Sequence, residues 1–169
     1  MVLEQLREQW GLGKPKSKFN GLITEGRTGP GGPRVVLLAP QNFMNESGKS
    51  AGPARGSKKI ELDHVIVVHD EIDLPFGEIR SRLGGGLAGH NGLKSLKANF
   101  ASPDFWRVRV GVGRPDSTDP ERVSGYVLGR FSEPAAEART LVEAAARETM
   151  RLSERLQAPE EGENSEGTN

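Results

Sequence analysis

Apolar residues recur at helical spacing at the start of the chain, where Val2, Leu3, Leu6 and Trp10 share one face and Gly11 and Gly13 follow. The spacing predicts a short amphipathic helix over residues 1–10. Segments 17–25 and 34–39 read as two strands of a hairpin, joined by the glycine- and proline-rich stretch 26–33. The unbroken apolar run Val35, Val36, Leu37, Leu38 predicts a strand buried on both faces. Residues 47–59 contain Gly52, Pro53 and Gly56, which predicts a short or broken helix there. The run Val65, Ile66, Val67, Val68 leads directly into the polar cluster His69-Asp-Glu-Ile-Asp73, so polar groups sit at the end of an interior strand, where α/β sheets place their sites. Segments 78–83 and 106–112 alternate as strands and 93–100 is helical. Ala138, Leu141, Val142, Ala145, Met150 and Leu152 predict a long amphipathic helix over 134–156. Strands alternating with helices indicate an α/β layer fold, with one domain over 1–156 and a disordered acidic tail over 157–169.

Composition narrows the class of function. A chain of 169 residues, 34% hydrophobic and 27% charged, is about one domain with material for a core. The absence of cysteine excludes disulfides and a thiolate zinc site, and three histidines leave little for a histidine-rich metal centre. Glu4, Arg7 and Glu8 interrupt any signal-peptide core, and no apolar run approaches the roughly 18 residues of a membrane span, so a cytoplasmic protein without a membrane partner is expected. The net charge of zero hides an asymmetry. The tail carries Glu160, Glu161, Glu163 and Glu166 with no Lys or Arg, whereas residues 1–60 hold ten basic residues against four acidic. Such a surplus attracts polyanions; a merely solvated face is the alternative.

Three clusters carry candidate chemistry. In Asn42-Phe-Met-Asn-Glu-Ser-Gly48, Asn45 can hold a carbonyl oxygen or orient a water without titrating, although a lone loop asparagine is also an ordinary turn residue. In the cluster at 69–73, Asp70 can orient an imidazole and stabilise its protonated form; a strand-terminating or capping acid is the alternative. A metal site of His69, Asp70 and Asp73 is disfavoured, because alternation sends neighbours 69 and 70 to opposite faces. The third cluster, Gly84-Gly-Gly-Leu-Ala-Gly-His-Asn-Gly92, matches the dinucleotide fingerprint at 84–89, but at mid-chain and without an acidic residue at the end of a buried strand about 20 positions on. Its glycines rather allow a sharp turn and close approach to a ligand, presenting His90 and Asn91 ahead of a helix. Around it, Arg80 with Arg82, Arg107 with Arg109, and Lys94 with Lys97 form same-face basic pairs suited to phosphate.

Taken in order, Phe43-Met-Asn-Glu-Ser-Gly48, His69-Asp-Glu-Ile-Asp-Leu-Pro-Phe-Gly77, Gly84-Gly-Gly-Leu-Ala-Gly-His-Asn-Gly-Leu-Lys94 and Arg107-Val-Arg-Val-Gly-Val-Gly-Arg-Pro115 resemble the successive signature segments of bacterial peptidyl-tRNA hydrolases, over essentially the whole chain to Leu156. The resemblance implies a mixed, twisted sheet flanked by helices. It also implies hydrolysis of the ester between a peptide and the 3′ end of tRNA, by a cytoplasmic monomer using no metal or other cofactor. Carried over by position, Asp70 is the carboxylate that orients the general base, Asn45 and Asn91 position substrate and water, Phe43 meets the tRNA end, and Arg80, Arg82, Lys94 and Arg109 face its phosphates. In that family a first strand and a segment bearing the catalytic histidine come before the helix similar to the one at Val2. The resemblance therefore implies that both lie upstream of Met1, that residues 1–169 hydrolyse poorly, and that neither His69 nor His90 takes the position served by Asp70. A non-catalytic RNA-binding protein of the same fold is the alternative. The glycines and proline at 48–56, where the family has an apolar helix, imply a looser wall.

Overall fold

The structure, a computed structural model, describes residues 2–43, 46–87, 90–113 and 135–157. Helix α1 (Val2–Gln9) precedes strands β1 (Lys16–Lys18), β2 (Gly21–Arg27) and β3 (Arg34–Pro40). Helix α2 (Ser47–Lys58) and a 3-10 turn (Leu62–His64) lead to β4 (Ile66–Glu71) and β5 (Ile79–Leu83). Then come α3 (Asn91–Phe100), β6 (Trp106–Gly111) and α4 (Ala135–Gln157). The expected α/β architecture is present, with the described strands in two sheets, one of which is mixed. β1, β2 and β3 form an antiparallel sheet, while β6 lies between β4, to which it is parallel, and β5, to which it is antiparallel. No strand among the described residues pairs β3 with β4.

Three expectations are corrected. Segment 17–25 is not one strand: Phe19 and Asn20 adopt φ of 56° and 54°, turning the chain in two residues so that Lys18 pairs with Gly21. Positive φ at both central positions is the geometry that suits the twist of a tight hairpin, and asparagine at the second of them tolerates it. Next, the apolar run on β3 is not buried on both faces, for only Leu37 is fully buried there, against Leu6, Leu12 and Ala146. Finally, α2 is continuous through Gly52, Pro53 and Gly56. Its glycines permit close approach of α3. A Cβ at Gly48 would collide with the Ser95 carbonyl, one at Gly52 would lie 3.2 Å from Asn99 Cβ, and the Gly48 N–H donates to Ser95 Oγ at 2.8 Å. Lys59, left-handed at φ 54°, ends the helix, with Lys59 N–H to Gly56 O and Ile60 N–H to Arg55 O closing its last turn.

Strand alternation gives the β4-β6-β5 sheet two unlike faces. Val108, Val110, Ile66 and Val68 pack with Leu141, Ala145 and Leu152 of α4, while α3 covers part of the other face through Leu93, Leu96, Val67 and Phe105. Helix α4 runs through Gln157, one residue into the segment expected to be disordered; the rest of that tail lies outside the described residues. No helix among the described residues is long and apolar enough to cross a membrane.

Candidate active site and arginine face

The polar cluster after the apolar run is part of β4, whose last three residues are His69, Asp70 and Glu71. Alternation separates His69 from Asp70 as expected, yet both reach His90, the residue that caps α3. The His69 and His90 rings meet edge to face with centroids 5.0 Å apart, and His90 Nε2 stands 3.5 Å from Asp70 Oδ1. Although neither remaining histidine was expected to take the motif position served by Asp70, His90 lies against that carboxylate. The geometry also limits what His90 can do. Its Nδ1 accepts the Leu93 backbone N–H at 3.2 Å, which places the ring proton on Nε2, pointing at the carboxylate. One nitrogen is occupied by a donor and the other carries the proton, so as arranged this imidazole holds Asp70 and offers no lone pair to a water.

His69 cannot replace it. Its Nδ1 donates to the Asp70 backbone carbonyl at 2.9 Å, and its buried Nε2 has no partner among the described residues. Burial pushes the His69 pKa down to about 4, outweighing the bond to Asp70, and the nearby His90 acts in the same direction. At Asp70, burial raises the pKa, but the bond to His90, the electrostatic pull of that ring, a backbone N–H and His69 together hold it below the ordinary aspartate value. Asp70 is accordingly an anion near neutral pH.

Asn91 is the exposed first residue of α3, adjacent to this corner, and Lys94 lies exposed one turn on. Phe43 is 81% exposed, the side chain of an apolar residue presented to solvent. Asn45 lies outside the described residues, but the chain on either side of it is tied together: Asn42 Nδ2 donates to Glu46 O at 2.8 Å and Glu46 N–H to Phe43 O at 2.8 Å. Sequence reading passed over Asn42, whose spacing of four from Glu46 is its only signal.

Beside the corner, β5 and β6 pair Arg80 with Arg109 and Arg82 with Arg107, a two-by-two set of arginines on one face. Like charges directly opposed across strands are destabilising, so this arrangement needs a reason other than stability. Arg80 and Arg82 are exposed. Arg80 lies 3.3 Å from Glu78, and Arg109, mostly covered, lies 3.7 Å from the buried carboxylate of Glu71. Glu71 Oε1 also accepts the Asp73 N–H at 3.2 Å, so it fixes both Arg109 and the turn after β4, a role the sequence did not reveal. Arg107, which same-face spacing had grouped with the phosphate contacts, is 0% exposed and cannot meet one. The fingerprint at 84–89 is not a dinucleotide loop, because that unit requires parallel strands on either side of the helix and β5 runs antiparallel to β6. Among the described residues no group of three or more His, Cys, Asp or Glu is placed to hold a metal ion.

The family model described as peptidyl-tRNA hydrolase matches residues 1–165. A peptidyl-tRNA hydrolase of Methylocella silvestris is 47% identical over 136 residues, covering 80% of this chain and 67% of that protein. One from Rhodospirillum centenum is 46% identical over 133 residues, covering 79% of this chain and 56% of its own length. The chain thus spans between about half and two thirds of these curated relatives. The crystal structure of the Acinetobacter baumannii peptidyl-tRNA hydrolase superposes with a TM-score of 0.73 at 33% identity, covering 90% of this chain and 80% of that one. By sequence and by fold, the chain belongs to the peptidyl-tRNA hydrolase family.

Proposed function

We propose that this protein acts on the ester joining a peptide to the 3′ end of tRNA, with the Asp70, His90 and Asn91 corner at the ester and Arg80, Arg82, Lys94 and Arg109 on the phosphates. The observation that carries the reading is the juxtaposition of an anionic carboxylate and imidazole with a cross-strand set of arginines on one sheet. Two of those arginines are exposed, and the like-charge repulsion is relieved when a polyanion binds. Phe43 offers a stacking surface for the unpaired tRNA end, and Asn45 and Asn91 hold the ester carbonyl and the attacking water. The protein works as a cytoplasmic monomer.

In this account Asp70 orients an imidazole and stabilises its positive charge as water attacks. The proton of that water must go to a base with an accessible lone pair; both nitrogens of His90 are engaged, and the free lone pair of His69, on Nε2, is buried. This favours a second reading for residues 1–169 taken alone, RNA binding with little turnover. Binding to N-acetyl-aminoacyl-tRNA and to uncharged tRNA distinguishes the roles of the two parts. Asn91→Ala is expected to weaken the charged form more than the uncharged one, and Arg82→Ala to weaken both alike. Equal losses for Asn91→Ala would remove the corner from the ester.

A further inference from the structure

Arg107 is, among the described residues, the largest fully buried side chain, the second residue of β6 and opposite Arg82 on β5. Among the described residues no carboxylate lies within ion-pair distance of it. Its guanidinium instead binds two backbone carbonyls, Gly86 O through Nη1 at 2.6 Å and Pro103 O through Nη2 at 3.0 Å, and stacks 4.7 Å over the buried Phe105 ring. Taking an unneutralised cation out of water is costly, so such a residue is retained for what it holds.

What it holds is the loop leading to the active corner. Gly84 and Gly85 leave β5 with φ of 66° and 99°, and the Gly84 N–H is tied to Phe105 O at 3.0 Å. The next fixed point is Gly86 O, on which Arg107 and, more weakly at 3.4 Å, Arg82 converge. Leu87 O then accepts the His90 N–H at 2.8 Å, and His90 caps α3 while reaching Asp70. A Cβ at Gly85 would lie 2.6 Å from the Arg82 guanidinium carbon, so the same short loop also seats an exposed arginine.

We infer that Arg107 is a positioning residue that anchors the Gly86 carbonyl from inside the sheet and thereby sets where His90 enters α3 and meets Asp70. It rests on the proposed reading of that corner for its functional meaning, but its structural content stands apart from it. Burial, with Arg82 and Arg109 adding like charge, lowers the Arg107 pKa. The two charge-assisted bonds to carbonyls therefore act in a dry setting, where they are strong.

The test uses Arg107→Met, which fills similar space without donors, and Arg107→Lys, which keeps the cation without the planar fork. Imidazole NMR reads the His90 tautomer, and amide exchange compares Leu93, whose N–H is held by His90, with Leu96 in the same helix. In Arg107→Met the Leu93 amide is expected to exchange about tenfold faster relative to Leu96, with loss of the Nε2–H tautomer signature and partial recovery in Arg107→Lys. An unchanged His90 signal and exchange ratio in either folded variant would overturn the inference; should the Met variant not fold, the Lys variant decides. In parallel, the salt dependence of tRNA binding should keep its slope in both variants. A drop of about one, as for a lost phosphate contact, would make Arg107 a tRNA ligand and refute its positioning role. If the unaltered protein binds no tRNA, the functional reading fails while the His90 readouts still decide the role of Arg107.

Discussion

The two faces of the β4-β6-β5 sheet are made by alternate residues of the same strands, and they are built on opposite terms. Under α4 the face is mainly apolar, with Val108 and Leu152 both at 0% exposure and, by the same alternation, Asp70 and Ser81 as its polar members. On the other face the strands carry His69, Glu71, Arg80, Arg82, Arg107 and Arg109, with two arginine pairs directly opposed. One face supplies burial that holds the strands together; the other spends part of that stability on groups kept close against their mutual repulsion. A sheet whose strands alternate in this way can present a costly site because its reverse side is well packed.

The largest effect is expected on the apolar side. Leu152→Ala removes a fully buried side chain from the α4 contact and should lower unfolding stability by about 2–5 kcal/mol in urea titrations, leaving the salt slope of tRNA binding unchanged. The polar end of β4 should show itself through pH. The folded His69 pKa, about 4, lies below the ordinary 6.5, so between these values the unfolded chain takes a proton that the folded one refuses. Stability is then full above pH 6.5 and falls as pH drops toward 4, by up to about 3 kcal/mol. Asp70, with its lowered pKa, loses its contribution only below the ordinary aspartate range. Urea midpoints at pH 7 and pH 5 (about neutral and about mid-window) should differ in the unaltered protein and converge in His69→Gln.

A smaller loss, about 1–3 kcal/mol, is expected for Gly48→Ala, because its methyl group must displace the Ser95 carbonyl where α2 meets α3. The smallest change in stability belongs to Arg82→Ala. It should stay within about 0.5 kcal/mol, while tRNA affinity falls and the slope of log K against log salt flattens by about 0.7–0.9. Loss of stability with an unchanged slope would mean that the arginine set is structural and that the comparison of the two faces is misdrawn.

The sequence made the strands and helices of this sheet legible because their apolar periods are regular: 78–83, 93–100 and 106–112 each coincide with an element to within two residues. The hairpin at Phe19 and Asn20 was hidden, since a phenylalanine at positive φ carries no turn signal of its own. Helix α2 was misread for a related reason. Glycine and proline weaken a helix considered alone, and the contact with Ser95 and Asn99 that gives the glycines their use is distant in sequence. In the site, Asp70 and the exposed arginines could be picked out by position. The pairing of Asp70 with His90 and the burial of Arg107 could not, because same-face spacing says nothing about which residues a helix or loop later covers.

The engagement of both nitrogens of His90 is tested most directly by single-turnover hydrolysis of N-acetyl-aminoacyl-tRNA. At saturating protein, residues 1–169 should bind tRNA but cleave the ester roughly 10²–10⁴-fold more slowly than the Acinetobacter baumannii enzyme measured alongside, the cost of a missing positioned base. Cleavage at a comparable rate, abolished by His90→Ala, would show that His90 supplies the lone pair after all and would contradict the assignment of its proton to Nε2.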